Sequence, residues 1–221
     1  MADFELAFMA AVKKVFPDYD VKGCLFHYSQ CILRKIQNSG FINLYKYDGD
    51  YALHLKMFYA LAYVPVNHVI TVYESLIKLP FFVDREEKLS EFLDYMESNW
   101  IGKLTRRGER QRSTYDVVIW NHYQSTIDEV ERTNNSIEGW HNRFNMRVQN
   151  AHVTIWQFIE FLRNKQGLTE YELEQMVGGK EPSKKKRKYR NHDRRLLNVV
   201  ETWGKVDNLE YLRGIAHNIE Y

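Results

Sequence analysis

Cys24, His27 and Cys31 fall at i, i+3 and i+7, a spacing that lines up two thiols and an imidazole on one helix face. A structural zinc site would need a second Cys/His pair at finger spacing, which the chain lacks. The other readings are a packed thiol beside a hydrogen-bonded histidine near a strand end, or a pair standing behind nearby carboxylates. Asp3 precedes an apolar run of helical period, the position of an N-cap. Glu138 follows Asn134 and Asn135, either of which can cap a helix that carries the carboxylate in its first two turns. His141, three residues on, shares its face and is either structural or a support for it.

Two basic clusters complete the chemistry. Arg106, Arg107, Arg110 and Arg112 lie with Lys103 in a polar stretch, 102–114, that suits an exposed loop. There they meet nucleic-acid phosphates without regard to sequence, or only water. Lys184, Lys185, Lys186, Arg187 and Lys188 form an unbroken run that reads as a nuclear import signal, a phosphate-binding arm or a solvated linker.

Helices must position most of these groups. The apolar spacing over 4–16, stopped by Pro17, predicts a first helix. The short apolar run 21–26, with Gly23 inside it, reads as a buried strand that needs sheet partners, and a second helix follows over about 27–37. Residues 50–99 are helical in pattern, with Pro65 and Pro80 as breaks. The run 117–120 fits a strand or the start of a helix. The longest helical tract covers about 134–165, with a break near Asn150, and two short helices over 196–203 and 208–219 close the pattern. Gly178, Gly179, Pro182 and the basic run mark 178–195 as a flexible linker.

A chain of 221 residues holds one well-buried core, or one core with a modest insertion. Charged residues at 27% and apolar ones at 44%, with a net charge of +2, are those of an ordinary folded protein. Two cysteines and no secretory leader point to a reducing, intracellular setting. The absence of any apolar run of about 18 residues argues against a membrane span. Most of the aromatic residues, 14% of the chain, belong to packing, with a few available to stack on bases.

Taken in order, Asp3-Phe4-Glu5-Leu6-Ala7, Val15-Phe16-Pro17, Gly23-Cys24-Leu25-Phe26-His27 and Thr133-Asn134-Asn135-Ser136-Ile137-Glu138-Gly139-Trp140-His141-Asn142 resemble the Mutator-like element (MULE) transposases, and the likeness runs on through Tyr211-Leu212-Arg213-Gly214-Ile215-Ala216. The resemblance implies a mainly α, α+β remnant: an incomplete ribonuclease H-like fold with an all-helical insertion. Residues 1–40 would be its residual helix-strand-helix core, 41–115 the insertion, 116–177 the last core helix region, 178–195 the basic linker and 196–221 the C-terminal helices.

In that family two Asp and one Glu hold two Mg²⁺ or Mn²⁺ ions about 4 Å apart that activate water and stabilise the leaving 3′ oxygen. Asp3 matches the second Asp, Glu138 the Glu, and Cys24 with His27 the family's Cys-x-x-His pair, while the first Asp has no counterpart. The expectation is a truncated or degenerate DNA transposase fragment, nuclear and DNA-associated, with Arg106, Arg107, Arg110, Arg112 and the run Lys184 to Lys188 on DNA, and without catalysis of its own. Alternatives are an enzyme completed by missing strands, or a helical protein-interaction module. An uncovered sheet edge would favour a protein partner or self-association.

Overall fold

The computed structural model describes residues 1–148, 153–181 and 186–219. Along them run α1 (Leu6–Val15), α2 (Leu25–Asn38), α3 (Ile42–Tyr47), α4 (Gly49–Ala60), α5 (Val69–Ile77), α6 (Pro80–Val83), α7 (Glu86–Met96), α8 (Val117–Trp120), α9 (Tyr123–Ile127), α10 (Asn135–Val148), α11 (Ile155–Val177), α12 (Arg187–Val200) and α13 (Asn208–His217). They fall into two compact units, one of Met1–Thr133 with Asn191–Tyr221 and one of Asn134–Arg190.

The first unit is built around α4. Asp48 starts this helix by accepting from the backbone N–H groups of Asp50 (2.9 Å) and Tyr51 (3.2 Å), donors that a helix N-terminus leaves open. Beyond the cap, Tyr51, His54, Leu55, Met57, Phe58, Tyr59 and Ala60 are all buried, so α4 is covered on most sides, as suits a central helix. α13 packs along it, and α2 and α3 also contact it. Phe58 meets Phe82 and Phe92 edge to face, at 5.4 and 5.0 Å between ring centres.

The turn after α4 is fixed by polar contacts from distant residues. The Tyr211 hydroxyl donates to the Tyr63 carbonyl, the Asn121 amide donates to the Val64 carbonyl (2.6 Å), and the His122 N–H donates to the Ala62 carbonyl (2.7 Å). Each satisfies a buried carbonyl that would otherwise cost about 1–3 kcal/mol. Beside this turn Tyr28 stacks on Trp120 at 5.0 Å and meets Trp100 edge-on at 4.9 Å. Here the aromatic residues serve packing, as expected.

The expected strand over 21–26 is corrected by a single parallel bridge between Ala2 and Gly23. Ala2 N–H donates to Lys22 O and Cys24 N–H donates to Ala2 O, both at 2.8 Å, after which the chain turns into α2 at Leu25. The apolar residues of that run serve a helix face, continued by Tyr28, Ile32 and Ile36, and a short apolar run alone does not separate the two cases. A Cβ at Gly23 would stand 2.3 Å from the Phe4 ring, so a larger residue there pushes that ring away from Trp100 and Tyr115. A second isolated bridge joins Leu104 to Arg110.

No sheet exists among the described residues, of which 70% are helical. The expectation of an incomplete ribonuclease H-like fold, an α+β remnant, is therefore overturned in favour of an almost wholly helical chain. Residues 117–120, whose pattern fits a strand or the start of a helix, form α8. The break expected near Asn150 falls on residues outside those described. α12 begins at Arg187, inside the stretch read as linker, because His192, Leu196, Val199 and Val200 supply a face that packs while the intervening arginines are good helix formers.

Candidate functional site

Asp3 does not cap α1, whose N-cap position is Glu5. Its carboxylate stands 3.1 Å from His27 Nδ1, with Asp3 exposed and His27 half-buried in the first turn of α2. The pairing of Ala2 with 22–24 brings these groups together, and Cys24, fully buried, sits at the N-cap of α2 between them in the chain. Cys24 and Cys31 are both free thiols, and burial pushes the Cys31 thiol upward, away from thiolate. An Asp–His pair of this kind orients the imidazole and ties the residues before α1 to α2.

Glu138 and His141 lie in the second unit, on α10. The Glu138 N–H donates to Asn134 O at 3.0 Å, and the carboxylate is in the first turn, where it complements the helix dipole. His141 lies against Trp140 at 5.2 Å between rings. Among the described residues no group of three or more His, Cys, Asp or Glu is gathered as a metal ion would require. No helix among them is long and apolar enough to cross a membrane.

The four arginines of the 102–114 stretch separate by environment. Arg110 is turned inward: it reaches Glu74 (2.8 Å), Glu97 (3.6 Å) and the Gly102 carbonyl (2.7 Å), and covers the Tyr73 ring. Arg106, Arg107 and Arg112 are exposed, the first two on a tight turn closed by Gly108 N–H donating to Thr105 O. Gly102, at φ +99°, lets this segment leave the helical turn 97–101, and a Cβ there would meet Gln111 O at 2.0 Å. Of the second basic cluster, Lys186, Arg187 and Lys188 are exposed, and Arg190 adds an exposed cation that the run did not include. Lys184 and Lys185 lie outside the described residues.

The feature that sequence reasoning missed is the outer face of α1. Phe8, Val12 and Phe16 repeat at i, i+4 and i+8, the pattern that predicts a buried helix face, yet only Met9 is buried in this helix. Phe8 is 52% exposed, Phe16 53% and Tyr19 72%. With Val21 and Asp20 they line an open groove of about 430 Å³. The signal was present as periodicity, but periodicity says that a face is apolar without saying what covers it.

No family model, no curated protein and no solved structure matches the chain. Together with the helical fold and the lack of a metal-binding cluster among the described residues, this overturns the resemblance to the Mutator-like element transposases. The reading as a DDE transposase fragment, and with it the ancestral two-metal cleavage and strand-transfer activity, is set aside.

Proposed function

We propose that the chain is a helical interaction module that holds an apolar segment of a partner protein in the groove lined by α1 and residues 16–21. The observation that carries this reading is the row Phe8, Phe16 and Tyr19, exposed along a groove of about 430 Å³ that the half-buried Val12 also lines, while most residues of α4 are buried. A volume of this order suits a few apolar side chains. Asp20 lines the groove and Asp18 is exposed close by in the chain, so the fitting segment carries a cation beside its apolar residues.

Titrating the isotopically labelled chain with synthetic decapeptides rich in Leu and Phe, bearing either one Arg or one Glu, tests this by NMR. The Arg peptide is expected to shift the amides of α1 and of residues 16–21, with Val12→Asp weakening binding at least tenfold, as for an anchor worth about 2 kcal/mol. If neither peptide shifts them, or Val12→Asp binds as well as the parent, the reading is wrong.

A second reading is favoured by one observation, the exposed cations Lys186, Arg187, Lys188 and Arg190 at the start of α12, where the first turn holds no carboxylate. Positive charge there opposes the helix dipole, and a bound nucleic-acid phosphate relieves it. Changing Lys184, Lys185, Lys186, Arg187 and Lys188 to Ala is expected to remove both duplex binding, read by fluorescence anisotropy, and nuclear retention of a fluorescent fusion. Unchanged binding would sink it.

A further inference from the structure

The strongest unclaimed surface lies on α11. This helix has 23 residues, about 34 Å, and none of them is buried. Several of its apolar residues share one face, Ile155, Phe158, Leu162, Leu173 and Met176, with Ile159 and Val177 beside them and Gln166 and Thr169 at its middle, while Trp156, Leu168 and Tyr171 lie on other sides. Leu162 is 39% exposed, Leu173 57% and Val177 91%. Near its start, Phe158 touches Phe144 of α10 at 5.9 Å between rings, and Phe144 is buried.

Charge on the two flanks identifies the occupant. One flank carries Arg163 and, seven residues later, Glu170; the other carries Lys165 and, again seven later, Glu172. Glu174 adds to the acidic end, and the last turn holds no basic residue to complement the helix dipole. A second α11 laid antiparallel, with the twofold axis near residues 167 and 168, sets Arg163 against Glu170 of the other copy and Lys165 against Glu172. The same register brings Leu162 to Leu173 and Phe158 to Val177, and it places each acidic end beside the positive end of the other dipole. A twofold contact must be self-complementary in this way.

We infer that α11 pairs antiparallel with α11 of a second copy of this chain. The paired face is a single helix long, below the size of a standard interface, so the dimer forms with a Kd on the order of 10 µM. Within one chain Glu170 already accepts from Gln166 (2.8 Å), an exposed contact that exchanges readily for an arginine.

Sedimentation velocity of the full chain from about 1 to 200 µM is expected to show monomer passing to dimer over this range. Leu173→Glu abolishes the dimer, and Arg163→Glu weakens it about tenfold. The double variant Arg163→Glu with Glu170→Arg restores it. Residues seven apart lie about 10 Å from one another along the helix and do not pair within it, so restoration reads the contact between copies. A chain monomeric throughout, or a double variant no better than Arg163→Glu alone, overturns the inference. Because none of these residues lines the α1 groove, this result and the peptide titration stand or fall separately.

Discussion

At the scale of single residues, His122 shows how placement sets behaviour. Its ring is 1% exposed. Burial first, and then the cations of Lys22 and Arg132, push its pKa down to about 4. In the unfolded chain it returns to about 6.5, so between these values the unfolded state binds a proton that the native state refuses. Stability is therefore complete above about pH 6.5 and falls as pH drops toward 4, by roughly 3 kcal/mol. Thermal melts from pH 7 to 4.5 are expected to show a steeper fall for the parent than for His122→Asn; parallel curves would refute this.

The neighbouring lesson is that residue type was legible and partner was not. Asp3 has the type and position of a cap, but its carboxylate meets His27 across 24 positions. Arg110 looks like its neighbours Arg106 and Arg112, yet it is held by Glu74, 36 positions back. Neither pairing leaves a trace in local spacing, because both arise only when helices pack.

Among elements, helices with their own periodicity were readable, and those whose residues serve two patterns were not. Residues 24–26 satisfy a buried strand and the first turn of α2 equally, and Tyr28, Ile32 and Ile36 settle it by continuing the helix. The same ambiguity does not touch α11, which holds a capping box between Thr154 and Gln157 and a glycine at its middle. Nothing lies within 4 Å of a Cβ built on Gly167. Gly167→Ala is therefore expected to stabilise α11 by about 0.5–1 kcal/mol, the propensity difference in an exposed helix interior. Slower amide exchange across 160–175 would show it, and unchanged or faster exchange would count against it.

For the whole molecule, length allowed one core, or one core with a modest insertion, and the chain forms two compact units, the first made of two separated stretches. A break of that kind is invisible to composition, which carries no information on which stretches pack together. Charge behaves similarly: the net value of +2 hides six cations among the seven residues from Lys184 to Arg190. If about five of them meet phosphates, the logarithm of duplex affinity falls with that of salt at a slope of roughly −4 to −5, and each single Ala substitution lessens the slope by about 0.9. Anisotropy titrations at several salt concentrations measure this; a slope near zero would mean that the run does not contact phosphate.

The packing of α13 along α4 also has a temporal meaning. α4 is complete at Ala60, but the helix that covers it ends at His217. At about 5–20 residues per second, a ribosome needs roughly 8–30 s to make the intervening chain. For that interval the part of α4 that packs on α13 lacks its final cover, so the nascent chain is an aggregation hazard and a natural client for chaperones long before its last helix emerges.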